Sequence, residues 1–208
     1  MNARVERVVT SGVFSLDGQD FDVDNNVWIV GDDAEVIIVD AAHDATKILA
    51  AVGDRAVRAV VCTHAHNDHV NGVRELVAAT GATVRLHPAD AMLWDVVNAG
   101  VEFEPLADGD VVSVAGVDLT VLHTPGHSPG GVCLVSDELG VVIVGDTLFH
   151  GGPGATGRSF SDFPTILDSI RERLLSLPPH TRVLTGHGDE TTIGAEAADY
   201  DTWVARGH

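Results

Sequence analysis

The segment 64–69 is the feature that most constrains how this chain of 208 residues can fold. Four potential metal ligands lie within these six positions: His64, His66, Asp68 and His69. They directly follow the apolar, strand-like run 59–62, and where a strand gives way to a loop, residues two apart can face the same side. His64 and His66 can therefore bind one ion together, while Asp68 and His69 lie past the turn and can contact a second. A lone histidine is usually a core or surface residue, but this density of donor groups predicts a metal site.

A site for two ions needs more ligands than one loop supplies, because each ion takes at least three protein groups and an open position for water. Three further candidates each follow a strand-like run and lie beside glycine: His127, Asp146 and His187. Loops that leave the ends of strands present functional side chains from a rigid base. The sequence therefore predicts that these strand ends share one rim.

The order of these motifs along the chain carries a resemblance. His-x-His-x-Asp-His, then Thr-Pro-Gly-His, Gly-Asp-Thr and Gly-His resemble the pattern of the metallo-β-lactamase superfamily, from His64 to His187. The resemblance implies an α+β fold, the four-layer αβ/βα sandwich, with the metals in a cleft along one edge of two sheets. It also implies which residues hold the ions: His64, His66 and His127 the first, Asp68, His69 and His187 the second, with Asp146 between them.

The implied chemistry is hydrolysis. Two ions about 3.5–4 Å apart share a water that loses a proton near neutral pH, and the resulting bridging hydroxide is the expected nucleophile. Asp68 is expected to be a catalytic residue as well as a ligand. Nitrogen and oxygen donors suit two divalent ions, zinc first, with iron or manganese as alternatives.

Local sequence features narrow the substrate. The segment 145–149 and the glycine-rich loop after it resemble hydroxyacylglutathione hydrolase, also called glyoxalase II, which implies a thioester of a small thiol. In the best-known β-lactamase subclass a cysteine occupies the place of Asp68, so a β-lactam is the weaker expectation. His150, four residues after Asp146, and Arg158, one of few basic residues, are weaker candidates for substrate binding.

Other functions stay open at this point. Persulfide dioxygenases resemble glyoxalase II but bind a single iron through two histidines and an aspartate. Lactone hydrolysis is a further alternative, as is a non-catalytic module in which the ions only stabilise the fold. The complete set of ligands for a second ion favours the hydrolase.

The composition limits the partners. With 31 acidic and 12 basic residues, the formal charge of −19 repels nucleic acid, so a small-molecule substrate is expected.

No apolar run is long enough to span a bilayer and no leader is recognisable, which indicates a cytoplasmic protein away from membranes. Cys62 and Cys133 lie in apolar runs and are expected to be buried rather than disulfide-bonded. Nothing in the sequence specifies an oligomeric state.

Hydrophobic periodicity predicts a single domain over 1–208 in which strands alternate with helices. The predicted strands are 27–30, 36–40, 59–63, 83–86, 111–114, 117–123, 131–135, 141–146 and 181–185, and the predicted helices lie near 44–53, 71–80, 88–98 and 164–176. An acidic loop at 99–110, a glycine-rich surface loop at 150–164 and a polar C-terminal tail complete the prediction. Asp40, at the end of its strand, is either an acceptor for a metal-binding imidazole or a simple turn residue.

Overall fold

The structure is a computed structural model that describes residues 2–16, 18–157 and 159–207. The strands are β1 (Arg4–Leu16), β2 (Gln19–Gly31), β3 (Glu35–Val39), β4 (Ala56–Val61), β5 (Thr83–Leu86), β6 (Glu104–Pro105), β7 (Val111–Val114), β8 (Val117–His123), β9 (Val132–Ser136), β10 (Val141–Gly145), β11 (Leu148–Phe149), β12 (Gly152–Pro153), β13 (Arg182–Thr185) and β14 (Thr191–Thr192). The α-helices are α1 (Ala45–Val52), α2 (Asn67–Val70), α3 (Val73–Thr80), α4 (Ala91–Asn98), α5 (Phe163–Ser169), α6 (Ile193–Ala197) and α7 (Tyr200–Arg206). A 3₁₀ turn at Pro88–Asp90 leads into α4, and a π-helical turn at Ile170–Leu174 continues α5.

Twelve of the strands form two six-stranded sheets, and β11 and β12 form a separate two-stranded sheet. The first has the order β1-β2-β3-β4-β5-β6, antiparallel from β1 to β3 and parallel from β3 to β6. Its parallel part is connected through helices, as parallel neighbours require. The second has the order β14-β13-β10-β9-β8-β7, in which only β10 and β13 pair in parallel.

Alternate residues of the first sheet enter two different cores, because successive side chains of a strand point to opposite faces. Val27 and Ile29 of β2 pack with Ile48 of α1 and Leu76 of α3 on the outer face. Trp28, Val30, Ile37 and Val39 lie on the inner face, in the core shared with the second sheet. Burial on both faces explains why β3 reads as an uninterrupted apolar run.

The second sheet shows the same arrangement. Leu134, Ile143 and Leu184 face the first sheet, whereas Val142 and Val183 pack on the outside with the C-terminal helices. Helices, sheet, sheet and helices therefore form four layers around three apolar clusters. The α+β, four-layer αβ/βα sandwich predicted from the sequence is confirmed.

Two parts of the chain differ from the sequence prediction. The first predicted strand, 27–30, is only the buried end of β2, which forms a hairpin of 13 paired positions with β1. The prediction of a polar C-terminal tail was wrong. β14, α6 and α7 follow β13, and Ile193 and Trp203 anchor them in the outer core of the second sheet. Within the described residues, no helix is both long and apolar enough to cross a bilayer.

Candidate metal centre

Each predicted ligand lies just after a strand, in a loop or short helix. His64, His66, Asp68 and His69 follow β4, and His127 follows β8. Asp146 directly follows β10, and His187 lies two residues beyond β13. Both sheets therefore contribute donors to the same edge, as the sequence predicted.

The first donor group consists of His64, His66 and His127. One ring nitrogen of each histidine lies within 4.8 Å of a ring nitrogen of the other two. His127 Nε2 is 3.0 Å from His66 Nδ1, and the His64 ring centroid is 4.7 Å from that of His66 and 5.0 Å from that of His127. Three imidazoles meet edge to face around one point, an arrangement that can hold a cation.

The second donor group consists of Asp68, His69 and His187, with donor atoms again within 4.8 Å of one another. His187 Nε2 lies 3.2 Å from Asp68 Oδ2 and 3.2 Å from His69 Nε2. Asp68 and His69 are brought into position by α2, the short helix that begins between the two pairs of ligands in the 64–69 loop.

Asp146 lies between the two groups. Its Oδ1 is 3.3 Å from His69 Nε2, and its Oδ2 is 3.4 Å from His187 Nε2 and 3.6 Å from His127 Nε2. The structure therefore brings together all seven side chains predicted to bind metal. Gly186 makes this approach possible, because a Cβ there would overlap Asp146 Oδ1 and lie 2.8 Å from His69 Cε1.

Unpaired buried atoms show that these residues fit a cation. Among the described residues, three buried side-chain atoms of this cluster have no hydrogen-bond partner: His64 Nε2, Asp68 Oδ1 and Asp146 Oδ1. A buried polar atom without a partner costs about 1–3 kcal/mol. Divalent ions in the two donor groups would satisfy these atoms and balance the carboxylates.

The protonation states of the two groups differ. Burial, reinforced by His127, lowers the pKa of His66 to about 3, and burial also lowers the pKa of His64 far below its usual value. Both rings are therefore neutral near pH 7, with a nitrogen lone pair available for a metal. In the second group, burial opposes the charged form, yet Asp146 and Asp68 raise the pKa of His187 to about 10. A metal ion bound there would displace the proton that the carboxylates otherwise hold on this ring.

The ring nitrogens that face away from the centre are also bonded. Asp40 Oδ2 lies 2.9 Å from His69 Nδ1, His127 Nδ1 donates to Ala155 O at 2.8 Å, and His187 Nδ1 donates to Asp24 O at 2.8 Å. Such bonds fix the tautomer and turn Nε2 of each ring toward the centre. Of the two roles that the sequence left open for Asp40, the contact with His69 favours the acceptor over the simple turn residue.

Asp40 could itself be grouped with His64 and His69, since one donor atom of each lies within 4.8 Å of the others. Both of its carboxylate oxygens are already used, however. Oδ1 accepts from Thr63 N at 2.7 Å, and Oδ2 accepts from Thr63 Oγ1 at 2.8 Å as well as from His69. This saturation suits an orienting residue rather than a ligand.

We expect Asp40→Asn to weaken metal binding about 10- to 100-fold, the usual cost of losing such an orienting partner. Asparagine tolerates the left-handed backbone that Asp40 adopts at φ 58°, so the fold should survive. Competition with a chromophoric chelator measures the affinity. Asp54→Asn, on an exposed turn, is the matched control. Affinity within twofold of the unaltered protein would refute this role.

Two residues near the centre were missed by the sequence prediction. Asn25, fully buried on β2, donates Nδ2 to Asp68 Oδ2 at 3.1 Å and is held by His43 Nε2, 2.8 Å from its Oδ1. Asp90, also fully buried, accepts from Ala65 N, Ser128 Oγ and Gly130 N. Asp90 therefore ties the loop of His64 and His66 to the loop of His127, across sequence distances that no local motif reveals.

The two weaker substrate candidates have different outcomes. The side chain of His150 is 72% exposed, with Nδ1 3.5 Å from Glu196 Oε1, and it is not among the cavity-lining residues. The expectation that it reaches the cleft is not met, because the β11–β12 turn directs it toward α6. Arg158 lies outside the described residues.

A cavity of about 340 Å³ opens beside the centre. His66, Asp68, His127, Asp146 and His187 line it. The site is therefore accessible to a small molecule, which distinguishes it from a closed structural metal site.

Comparison with known proteins agrees with the fold. The family model described as the Metallo-beta-lactamase superfamily matches residues 21–187. The chain belongs to this superfamily.

Several relatives are similar over most of their length. The chain is 35% identical to the probable metallo-hydrolase YqgX of Bacillus subtilis, over 83% of this chain and 88% of that protein. It is 29% identical to the hydroxyacylglutathione hydrolase GloC of Haemophilus influenzae, over 82% of this chain and 87% of that protein. A crystal structure of TTHA1623 in a di-iron-bound form is similar with a TM-score of 0.77 and 35% identity, covering 84% of this chain and 93% of the other.

Proposed function

We propose that this protein is a dinuclear metal-dependent hydrolase that cleaves thioesters of small thiols. The observation that carries the proposal is the pair of three-residue donor groups on either side of Asp146, with three buried atoms left unpaired among them. His64, His66 and His127 would hold one ion, and Asp68, His69 and His187 the other. Asp146, in contact with both groups, would be shared.

Divalent ions bound there would polarise the scissile carbonyl and lower the pKa of the attacking water. The chain itself would hold the ligands in place and shape the cleft. Asp68, proposed as the catalytic side chain, is fixed by Asn25 and lines the cavity, so it lies where substrate would enter. The two cysteines are fully buried, and burial raises the pKa of Cys133 to about 11, so neither is suited to be the nucleophile.

Two observations support a thioester. The segment 145–149 resembles the corresponding segment of glyoxalase II, and relatives at 29% and 36% identity are named hydroxyacylglutathione hydrolases. For the metal, nitrogen and oxygen donors suit zinc, and the similarity to a protein solved in a di-iron form supports iron equally.

The test combines metal content with two assays. Protein purified without added metal is analysed by mass spectrometry, then assayed for hydrolysis of S-lactoylglutathione and for oxygen uptake with glutathione persulfide. We expect two ions per chain and thioester cleavage. His187→Ala should lose one ion and most activity, whereas His180→Ala, which removes an exposed histidine, should change neither.

Each contrary result has a definite meaning. One iron per chain with oxygen consumption would replace the hydrolase by a mononuclear dioxygenase and make His187 a bystander. Two ions without thioester cleavage would refute the substrate class, and lactones would be assayed next. Two ions retained in His187→Ala would refute the ligand assignment.

A further inference from the structure

The cavity beside the metal centre combines donor groups with an apolar wall. Besides two alanines, six larger apolar side chains line it: Phe14, Val23, Leu93, Val96, Val97 and Phe160. They come from three separate parts of the chain, the β1–β2 hairpin, α4 and the loop before α5. A wall of this composition suits an apolar part of a substrate.

Helix α4 presents one apolar face to the cavity. Leu93, Val96 and Val97 are spaced i, i+3 and i+4, which places them on the same side of a helix. The helix is anchored by Trp94 and Asn98, which are buried, and Leu93 and Val97 also pack in part against the outer core of the first sheet. Val96 is 82% exposed, so its apolar surface is available to a ligand.

Phe160 is exposed in an unusual backbone conformation. It has φ 69°, which is unfavourable for a bulky residue, and it is 54% exposed. The loop is tethered nearby, because Asp162 N donates to Gly126 O at 2.7 Å and the Asp162 side chain caps α5. The chain thus holds an aromatic ring at the cavity at a cost in backbone energy, as binding sites commonly do.

The charges around this wall do not favour an anionic substrate group. The described lining residues include no lysine or arginine, and its carboxylates are Asp68 and Asp146 of the metal centre. Arg158 lies outside the described residues. Among the described residues the wall therefore offers an anionic group no cationic side chain to pair with.

We propose that the substrate carries an uncharged apolar group, alkyl or aryl, adjacent to the bond that is cleaved, and that this wall binds it. The proposal rests on the proposed hydrolase function and names its substrate class. The apolar group could belong to the acyl part or to the thiol part of a thioester. The same wall would bind either one.

Two substrate series separate these sources in the metal-loaded protein. The first varies the acyl group from acetyl to hexanoyl and benzoyl on N-acetylcysteamine, a neutral thiol. The second keeps acetyl and varies the thiol from N-acetylcysteamine to hexanethiol. We expect kcat/KM to rise at least about tenfold along one series, the factor that burial of one valine-sized side chain supplies.

Variants test whether the wall is responsible. In Val96→Asn and Phe160→Asn, the preference for the apolar over the acetyl N-acetylcysteamine substrate should fall about tenfold. Val204→Asn is the matched control, since Val204 is a 50% exposed helical valine outside the cavity lining. Asparagine at 160 accommodates the positive φ, so a folding defect is not expected there.

Binding of a neutral fluorescent probe, N-phenyl-1-naphthylamine, gives a readout that does not depend on hydrolysis. Its affinity should fall about tenfold in both wall variants and stay unchanged in Val204→Asn. Thioester hydrolysis with no preference for apolar groups in either series would overturn the inference and leave the proposed function intact. Probe binding that depends on Val96, without hydrolysis of any thioester, would overturn the function and support the apolar pocket.

Discussion

Asp146→Asn is expected to lower the metal content from two ions to one and to reduce hydrolysis at least about a hundredfold, beyond the usual effect of an orienting residue. Both oxygens of Asp146 lie 3.3–3.6 Å from histidine nitrogens of the two donor groups. Asparagine keeps the shape but replaces one oxygen by an NH₂ group, which cannot donate a lone pair to a cation. It also removes a negative charge that would balance the ions.

Metal analysis by mass spectrometry and steady-state kinetics on the same preparation measure both effects. Circular dichroism should show an unchanged fold, because the substitution conserves side-chain volume. Asp189→Asn is the matched control, an exposed aspartate two residues beyond His187. If Asp146→Asn retained both ions and full turnover, Asp146 would not be the shared ligand.

Asp90→Ala is expected to lower the free energy of unfolding by about 3–5 kcal/mol. The carboxylate of Asp90 is fully buried and accepts from Ala65 N at 3.0 Å, Ser128 Oγ at 3.0 Å and Gly130 N at 2.6 Å. Alanine would leave three buried donors without an acceptor. Because Ala65 lies between His64 and His66, and Ser128 follows His127, the first donor group should lose its alignment along with the stability.

Urea unfolding of the metal-free protein measures the loss of stability without the contribution of bound metal. Asp95→Ala, on the exposed face of α4, should stay within about 0.5 kcal/mol of the unaltered protein. Metal titration should then show that Asp90→Ala weakens the site of His64, His66 and His127. An unchanged urea midpoint would contradict the bridging role of Asp90.

The candidate ligands could be predicted from the sequence because each is marked locally. His64, His66, Asp68 and His69 are crowded together, and the other three follow apolar strands beside glycine. Asn25 and Asp90 carry no such mark. Their partners lie 18–43 residues away along the chain, so only the packing of the two sheets and α4 reveals them.

Strands that are buried on both faces could be predicted from the sequence, whereas strands with an exposed face could not. β3 and β10 are buried along most of their length and read as apolar runs, whereas β1 is largely half-exposed and shows a weak pattern. Its pairing with β2 depends on backbone hydrogen bonds, which any sequence can make. The C-terminal helices are short and have few anchors, chiefly Ile193 and Trp203, so their apolar periodicity is too sparse to recognise.

The seven candidate ligands lie at the ends of β4, β8, β10 and β13, while the six apolar wall residues belong to the hairpin, α4 and the loop at Phe160. The proposed reactivity and the proposed selectivity would thus be encoded in different stretches of chain. Substitutions of the wall residues themselves would change which molecule enters without replacing a ligand or a residue that orients one. During evolution the same metal ligands could therefore serve different substrates while the wall residues changed. An engineer could alter the substrate range by randomising the wall residues alone.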